Sequence, residues 1–241
     1  MFTVDLHAHT RFFHGRERAA EHFDPLGVRL LAGAARLRGL DGVALTNHDY
    51  YRAFDLGSAG EAAGGRYAAT IPGIEITTTQ GHVLVVGPDP PDRTEPGELT
   101  PEEAVEVAHD RGCAAVIAHP YRNSTVRNVD AAFDAIEVNG KHPRTEEWVR
   151  KLADNHDLPM VGGSDAHYPV EVGRAFTGIE ADELTPESVV EAIRDGRVQP
   201  RVDRGRLNRL VRRLYREIHE EKGYLQRPEW LESPGIGEPP K

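Results

Sequence analysis

Histidines and acids in this chain gather at the ends of short, strand-like apolar runs: Asp5-Leu6-His7-Ala8-His9, Thr46-Asn47-His48-Asp49, Gly73-Ile74-Glu75, Gly81-His82, Ala118-His119-Pro120 and Gly162-Gly163-Ser164-Asp165-Ala166-His167. Such side chains make a poor core, so they constrain the fold. The strand ends that carry them must meet, although they are far apart in sequence. Parallel strands closed into a barrel achieve this, because their carboxyl ends converge on one mouth. Nitrogen and oxygen donors gathered there form a cage for Zn, Mn or Fe.

The rest of the chain keeps the rhythm that such a barrel needs. Strand candidates run Thr3 to Leu6, Gly42 to Thr46, Ala69 to Ile76, His82 to Gly87, Ala114 to Ala118, Ala135 to Val138, Pro159 to Gly162 and Ala175 to Ile179. Helical spacing intervenes at Leu26 to Leu37, more weakly in the alanine-rich Ser58 to Gly64, and at Glu146 to Asn155. Thr100-Pro101 and Thr185-Pro186 each place an N-cap threonine before a proline at the first helical position, and Glu103 completes a capping box at the first. Gly112 and Gly196 end those helices. The alternation of strand and helix predicts an α/β architecture with a parallel sheet.

At 241 residues the chain is the size of one such barrel, and we expect one main domain. A net charge of -10 argues against a general nucleic-acid or anionic-membrane binder. The single cysteine, Cys113, lies in an apolar run and excludes an internal disulfide, which fits a reducing cytoplasm. Met1 to Leu6 reads as a strand rather than a leader, and no run approaches the roughly 18 apolar residues of a membrane span. We therefore expect a cytoplasmic protein with no membrane partner. The domain boundary is placed at 196. Beyond it, Arg197 to Lys222 carries nine Lys or Arg against four acids, with an apolar stripe at Leu207, Leu210, Val211, Leu214, Tyr215 and Ile218. Residues 197–241 are expected to form a basic amphipathic helix and a proline- and glycine-rich tail packed on the barrel, a helix of this kind being also able to bind acidic partners, nucleic acid or membrane.

Each motif has its own logic. His7 and His9 are two apart on a strand and point to the same side, so they can share one ion. His14 follows within reach if its loop folds back. His48 ends the second strand, and Asp49 beside it is suited to orienting a ligand or water. Glu75 can bridge two ions with its two oxygens. His82 opens the next strand, either as a ligand or as an exposed strand-start residue. His119 precedes Pro120, which biases its backbone to be extended. Asp165 and His167 follow two glycines and are spaced to serve separate ions from one loop.

In combination, Asp-Leu-His7-Ala-His9-Thr, Thr-Asn-His48-Asp49, Gly-Ile-Glu75, Gly-His82-Val-Leu, Ala-His119-Pro and Ser-Asp165-Ala-His167 resemble the PHP family, named for polymerase and histidinol phosphatase. The resemblance spans residues 1 to about 195. It implies a distorted (β/α)7 TIM-like barrel, here with a C-terminal helical extension, and phosphoester hydrolysis at a trinuclear centre of two to three divalent ions (Mn, Zn or Fe). Carried over by motif, His7, His9, Glu75 and Asp165 would hold the first ion, Glu75, His82 and His119 the second, and His14, His48 and His167 the third. Two positions depart from the family's usual pattern: many members carry aspartate where this chain has His14, and Asn47 replaces the acid of Thr-Asp-His.

The expected function is that of a metal-dependent phosphoesterase acting on a phosphate mono- or diester, either a small phosphorylated metabolite or a nucleotide, through a hydroxide bridging two ions. Asp165, His167 and His48 are the expected catalytic residues, for proton transfer and orientation. Arg122, just past His119, and Lys141, after Glu137-Val138-Asn139-Gly140, are the candidates for gripping the substrate phosphate. The alternatives are a nuclease acting on the ends of short oligonucleotides and, with less support, a metal-dependent amidohydrolase. Against the last, no lysine follows Glu75 as a carbamylated bridge would require.

Overall fold

The computed structural model describes residues 1–10, 17–54, 65–122, 124–205 and 208, without the side chains of 17–24. His14, the Ser58 to Gly64 helix, the Leu207 to Ile218 stripe and the Gly223 to Lys241 tail therefore lie outside the described residues. Nine strands are described: β1 (Phe2–Ala8), β2 (Gly42–Leu45), β3 (Ala69–Thr78), β4 (Gly81–Val86), β5 (Ala114–Ile117), β6 (Ala135–Asn139), β7 (Met160–Gly163), β8 (Ala175–Ile179) and β9 (Val198–Val202). Four helices accompany them: α1 (Glu17–Leu37), α2 (Pro101–Asp110), α3 (Glu146–His156) and α4 (Pro186–Arg194). Among the described residues no helix is long and apolar enough to cross a membrane.

All eight expected strands form. The sheet runs β7-β6-β5-β4-β3-β2-β1-β8-β9 and curls into a nearly closed barrel. It is less regular than a purely parallel one. β1–β2, β2–β3, β5–β6 and β6–β7 pair in parallel, whereas β3–β4, β4–β5, β1–β8 and β8–β9 are antiparallel. The reversal at β4 follows from a tight hairpin: Thr78 pairs with Gly81, leaving room for only Thr79 and Gln80 between the strands. β9 escaped the sequence reading because Val198-Gln-Pro-Arg-Val202 is short, polar and interrupted by proline, a pattern that an edge strand tolerates.

Both threonine caps form as expected. The Thr100 hydroxyl accepts from Glu103 N, and Thr100 N donates to a Glu103 carboxylate oxygen at 2.8 Å. At α4 the reciprocal partner is Ser188 rather than an acid, a capping box that the sequence reading did not anticipate. The Val189, Val190 and Ile193 side chains of α4 join Val4, Leu6, Ala44, Ile71, Leu84, Val116 and Val161 in one buried cluster. In the parallel strands these apolar residues precede the motif residues, so α4 closes the end opposite the mouth. On the outer side, Ile74, Ile76, Val83 and Val85 pack under α2 and α3.

The Thr177 side chain of β8 hydrogen-bonds to β7. The Thr177 hydroxyl accepts from Gly162 N at 2.8 Å and lies 2.9 Å from Gly162 O, its own acceptor. A Cβ on Gly162 would lie 2.4 Å from Phe176 O, so only glycine allows this approach. We therefore expect Gly162→Ala to destabilise the protein by about 1–3 kcal/mol or more through overpacking. Gly33→Ala, whose Cβ would meet nothing closer than the Tyr67 ring at 3.8 Å, should be neutral or stabilising, as for other helical glycines. Urea unfolding of the two variants against the parent checks the contrast.

Candidate metal centre

The mouth assembles from many strand ends. His7 lies within β1 and His9 just beyond it, after a register shift between Asp5 and Ala8. His48 follows β2 and forms an isolated bridge with Glu75 of β3. His82 opens β4, and because that strand runs antiparallel to β3 its start faces the mouth. His82 thus belongs with residues that end other strands. His119 follows β5, Glu137 lies in β6, and Asp165 and His167 follow β7.

Glu75 is wholly buried and stands at the centre. Its Oε2 lies 3.1 Å from His7 Nε2, 3.3 Å from His9 Nε2 and 3.2 Å from His48 Nδ1. Its Oε1 lies 2.7 Å from His82 Nδ1 and 3.0 Å from His119 Nε2. Asp165 Oδ1 lies 3.3 Å from both His9 Nε2 and His167 Nδ1, and 3.8 Å from His7 Nε2. Three overlapping donor groups result: His7, His9 and Glu75; His48, Glu75 and His82; and His9, His48 and His167. Every sequence-expected ligand except His14, which lies outside the described residues, is in this cluster.

These donors suit divalent ions. His9 Nε2 is buried without a hydrogen-bond partner, although it lies between two carboxylate oxygens. Burial lowers the His9 pKa to about 3, with the neighbouring His167 adding to the effect, and burial also lowers that of His48 to about 3. Burial followed by Lys141 takes His167 down to about 4, and burial lowers His119 as well. At neutral pH these rings are therefore uncharged and offer lone pairs. His7 differs: burial disfavours its charge, but Glu137 and Glu75 on either side outweigh that and raise its pKa well above the usual value. Burial also disfavours ionisation of Glu75, yet His48, His7 and His82 hold it far below the ordinary carboxylate range.

The two expected phosphate-binding cations are also at the mouth, both held by Asp165. Arg122 Nη1 lies 2.6 Å from Asp165 Oδ2, and Lys141 Nζ lies 2.9 Å from Asp165 Oδ1. Lys141 Nζ is also 2.9 Å from His167 Nδ1. Burial lowers the lysine's pKa against the opposing pull of Asp165. His142 lines a small cavity with Arg122, His119 and Glu137, and burial, then Arg122, lowers its pKa to about 3.

Two expectations change in detail. Asp49 faces backbone and hydroxyls: its oxygens accept from Thr77 N at 2.8 Å, Thr77 Oγ1 at 2.7 Å and Thr94 Oγ1 at 3.1 Å, anchoring the strand that carries Glu75. His119 does not take the extended backbone that Pro120 favours. Its φ is 25°, and its N–H donates to Glu137 Oε2 at 2.7 Å. Asp49 and Asp165 also have positive φ, 57° and 52°, so three strand ends at this mouth hold uncommon backbone conformations.

Sequence reasoning missed several supporting residues. Glu137, which in sequence marks only the approach to Lys141, is wholly buried against His7 and His119. An acid inside the apolar run Ala135-Ile-Glu-Val138 was the available signal. Asp5, also wholly buried, accepts from Ser164 N at 2.9 Å, Gly173 N at 2.7 Å and His7 N at 3.2 Å, tying β1 to the loop after β7. Burial raises its pKa to about 6. Glu171 accepts from His167 N at 2.8 Å and pairs with buried Arg174 at the same distance.

Residues 145–198 match the PHP-associated family model, a stretch that contains Asp165 and His167 but is less than a quarter of the chain. The chain carries a PHP-associated segment on a PHP-like fold. Among solved structures, PsfC from Pseudomonas syringae PB-5123 superposes with a TM-score of 0.67 at 23% identity, over 90% of this chain and 98% of that one. A two-domain protein from Bacteroides vulgatus ATCC 8482, containing a predicted PHP-like metal-dependent phosphoesterase, gives 0.58 at 20% identity, over 83% of this chain and 64% of that one. The lesion-specific endonuclease Q of Pyrococcus furiosus gives 0.55 at 20% identity, over 80% of this chain and 56% of that one. These likenesses establish a shared PHP-like barrel. No curated protein matches the chain by sequence.

The lowered histidine pKa values dictate how acid acts on the metal-free protein. A histidine of ordinary pKa near 6.5 when unfolded, but about 3 or 4 when folded, contributes stability above pH 6.5 that is lost as pH falls towards the folded value. His7 and Asp5 act in the opposite sense and are outnumbered by His9, His48, His119, His142 and His167. The thermal midpoint of the chelator-treated protein should fall steadily from pH 6.5 to pH 4. A flat or rising midpoint would contradict this account of the centre.

Proposed function

We propose that this chain is a metal-dependent phosphoesterase that hydrolyses a phosphate mono- or diester of a small metabolite or nucleotide. The division of Glu75 carries the reading. One oxygen faces His7, His9 and His48 and the other faces His82 and His119, as a carboxylate bridging two ions requires. In the assignment by motif, His7, His9, Glu75 and Asp165 would hold the first ion, Glu75, His82 and His119 the second, and His48 and His167, with His14, the third. Mn, Zn and Fe all suit this nitrogen-rich donor set. Bound ions lower the pKa of water and neutralise phosphoryl oxygens.

The chain's own groups do the rest. Asp165 orients the attacking water, whose acidity the ions would raise. The leaving oxygen needs a proton, which His48 or His167, neutral at pH 7, would donate only where that ring is not committed to the third ion, and which a water held at that ion would otherwise supply. Arg122 and Lys141 grip the phosphoryl group, which takes the place of Asp165 as their partner. The enzyme is assigned to the cytoplasm, in keeping with its lone buried thiol. Residues 197–241 are assigned to an extension whose first stretch, β9, pairs with β8 in the barrel sheet and whose remainder packs on the barrel. Beyond β9, Asn208 is buried and hydrogen-bonded to Asp203 and Arg38.

Endonuclease Q has also been solved with a 27-mer duplex bearing an abasic lesion at its active site, and this chain carries the basic stretch Arg197 to Lys222. Those two observations favour a short oligonucleotide as the second reading. Salt separates the two: oligonucleotide turnover should weaken steeply between 50 and 200 mM salt, by up to about 10³-fold where several phosphates are held, and small-ester turnover far less.

After reconstitution with Mn, Zn or Fe, the protein should hold two to three ions and hydrolyse a chromogenic phosphate ester. His9→Ala and Asp165→Ala should each abolish that activity with circular dichroism unchanged, whereas Arg122→Ala should retain the ions and lose about tenfold or more in kcat/KM, the worth of one charge-assisted hydrogen bond. Full activity in both the His9 and Asp165 variants would refute the assignment.

A further inference from the structure

Two of the proposed ligands, His7 and His119, come from different strands and face opposite oxygens of Glu75. Both are held by one buried carboxylate. Glu137 Oε1 lies 2.8 Å from His7 Nδ1, and Glu137 Oε2 accepts the His119 backbone N–H at 2.7 Å. Asn139 Nδ2 donates to the same Oε2 at 3.2 Å. The site is shaped for this carboxylate: a Cβ on Gly163 would lie 2.4 Å from Glu137 Oε1 and 2.5 Å from His7 Cβ, so the glycine makes the space that the pair occupies.

We propose that Glu137 is a positioning residue that serves two metal subsites at once, through the His7 ring on one side and the His119 backbone on the other. The inference rests on the metal-centre reading above. A carboxylate at Nδ1 keeps the proton on that nitrogen and leaves Nε2, the atom nearest Glu75 Oε2, to bind an ion. On the other side, the accepted N–H holds His119 at φ 25°, a backbone that its position before Pro120 does not favour. Both contacts require an acceptor, and a carboxylate supplies two.

Glutamine supplies one acceptor and one donor, so Glu137→Gln cannot satisfy both sides. With its oxygen towards His119 N, its amide NH2 meets His7 Nδ1 and drives the ring proton onto Nε2, which removes the ligand. Turned the other way, the NH2 opposes the His119 N–H. The variant should therefore lose metal while keeping its shape.

Binding of Mn or Zn to the purified full chain, followed by calorimetry and by metal analysis after gel filtration, tests this. Wild type should load at least two ions per chain. Glu137→Gln, with unchanged circular dichroism, should bind them about 10–100-fold more weakly or lose at least one, the usual consequence of removing a ligand's hydrogen-bond partner. Wild type that loads no metal would overturn the metal-centre reading itself. Wild type and variant with equal stoichiometry and affinities within twofold would overturn the role of Glu137 alone. A measurement on wild type makes the test independent of whether the variant folds. In the Zn-loaded protein, 15N spectra of the imidazoles should show His7 protonated at Nδ1 and metal-bound at Nε2, and the reverse pattern would overturn the proposal.

Discussion

Glu75 is a carboxylate with no solvent exposure, surrounded by imidazoles from four other strand ends. An isolated carboxylate placed there would cost several kcal/mol or would simply protonate. With no ion bound it remains ionised because His7 carries a charge beside it and His82 and His119 donate to it, the His7 proton at Nε2 being the one an ion would displace. Glu137 and Asp165 are buried nearby, so the mouth holds three acids within a few side chains of each other. His7, Lys141 and Arg122 are the cations that face them. The fold's task is to keep this assembly of like and unlike charges together against its tendency to hydrate and separate.

The barrel does so with backbone as much as with side chains. Asp5 ties His7 to the loop bearing Asp165, Asp49 ties the β3–β4 hairpin to the strand end bearing His48, and Glu171 holds His167 by its N–H. In each case an acid that carries no assigned chemistry immobilises a neighbour that does. The positive φ values at Asp49, His119 and Asp165 persist because these bonds over-determine the local conformation. At the far end the Val189, Val190 and Ile193 side chains of α4 pack with the apolar residues of the strands, so apolar burial is concentrated away from the mouth.

Much of this was legible in the sequence, and the limits are physical. Strand runs such as Val43-Ala-Leu45 and Ala114-Ala-Val-Ile117 are recognisable because both faces are buried, and Thr-Pro caps are local chemistry. The ligand residues stood out because imidazoles at strand ends have no structural purpose in an apolar core. Strand direction was not legible. The βα rhythm led to a parallel sheet, yet the Thr78 to Gly81 turn reverses β4, and that reversal explains why His82 starts its strand while its partners end theirs. Glu137 and Asp5 were hidden for a different reason. Their significance lies in partners far away in sequence, at His119 and Ser164, and no local pattern reports those. At His119 the proline rule gave way to a tertiary hydrogen bond from its own N–H.

Asp165 occupies the most contested position in the mouth. It faces three imidazoles with Oδ1, the same oxygen that holds Lys141, while Oδ2 holds Arg122. Burial disfavours its charge, yet Lys141 and His167 hold its pKa well below the ordinary carboxylate range, so it remains an anion with more claimants than lone pairs. A divalent cation sharing Oδ1 would attract the carboxylate far more strongly than a single ammonium and would repel Lys141 through the same low-dielectric space. The lysine and arginine would then be two cations beside a cationic centre with their carboxylate partly withdrawn. An anion with several oxygens, such as a phosphoryl group, restores that balance where a neutral amide or ester cannot. The charge arrangement around Asp165 thus fits the phosphoryl substrate proposed above, on grounds independent of the motifs that first suggested it.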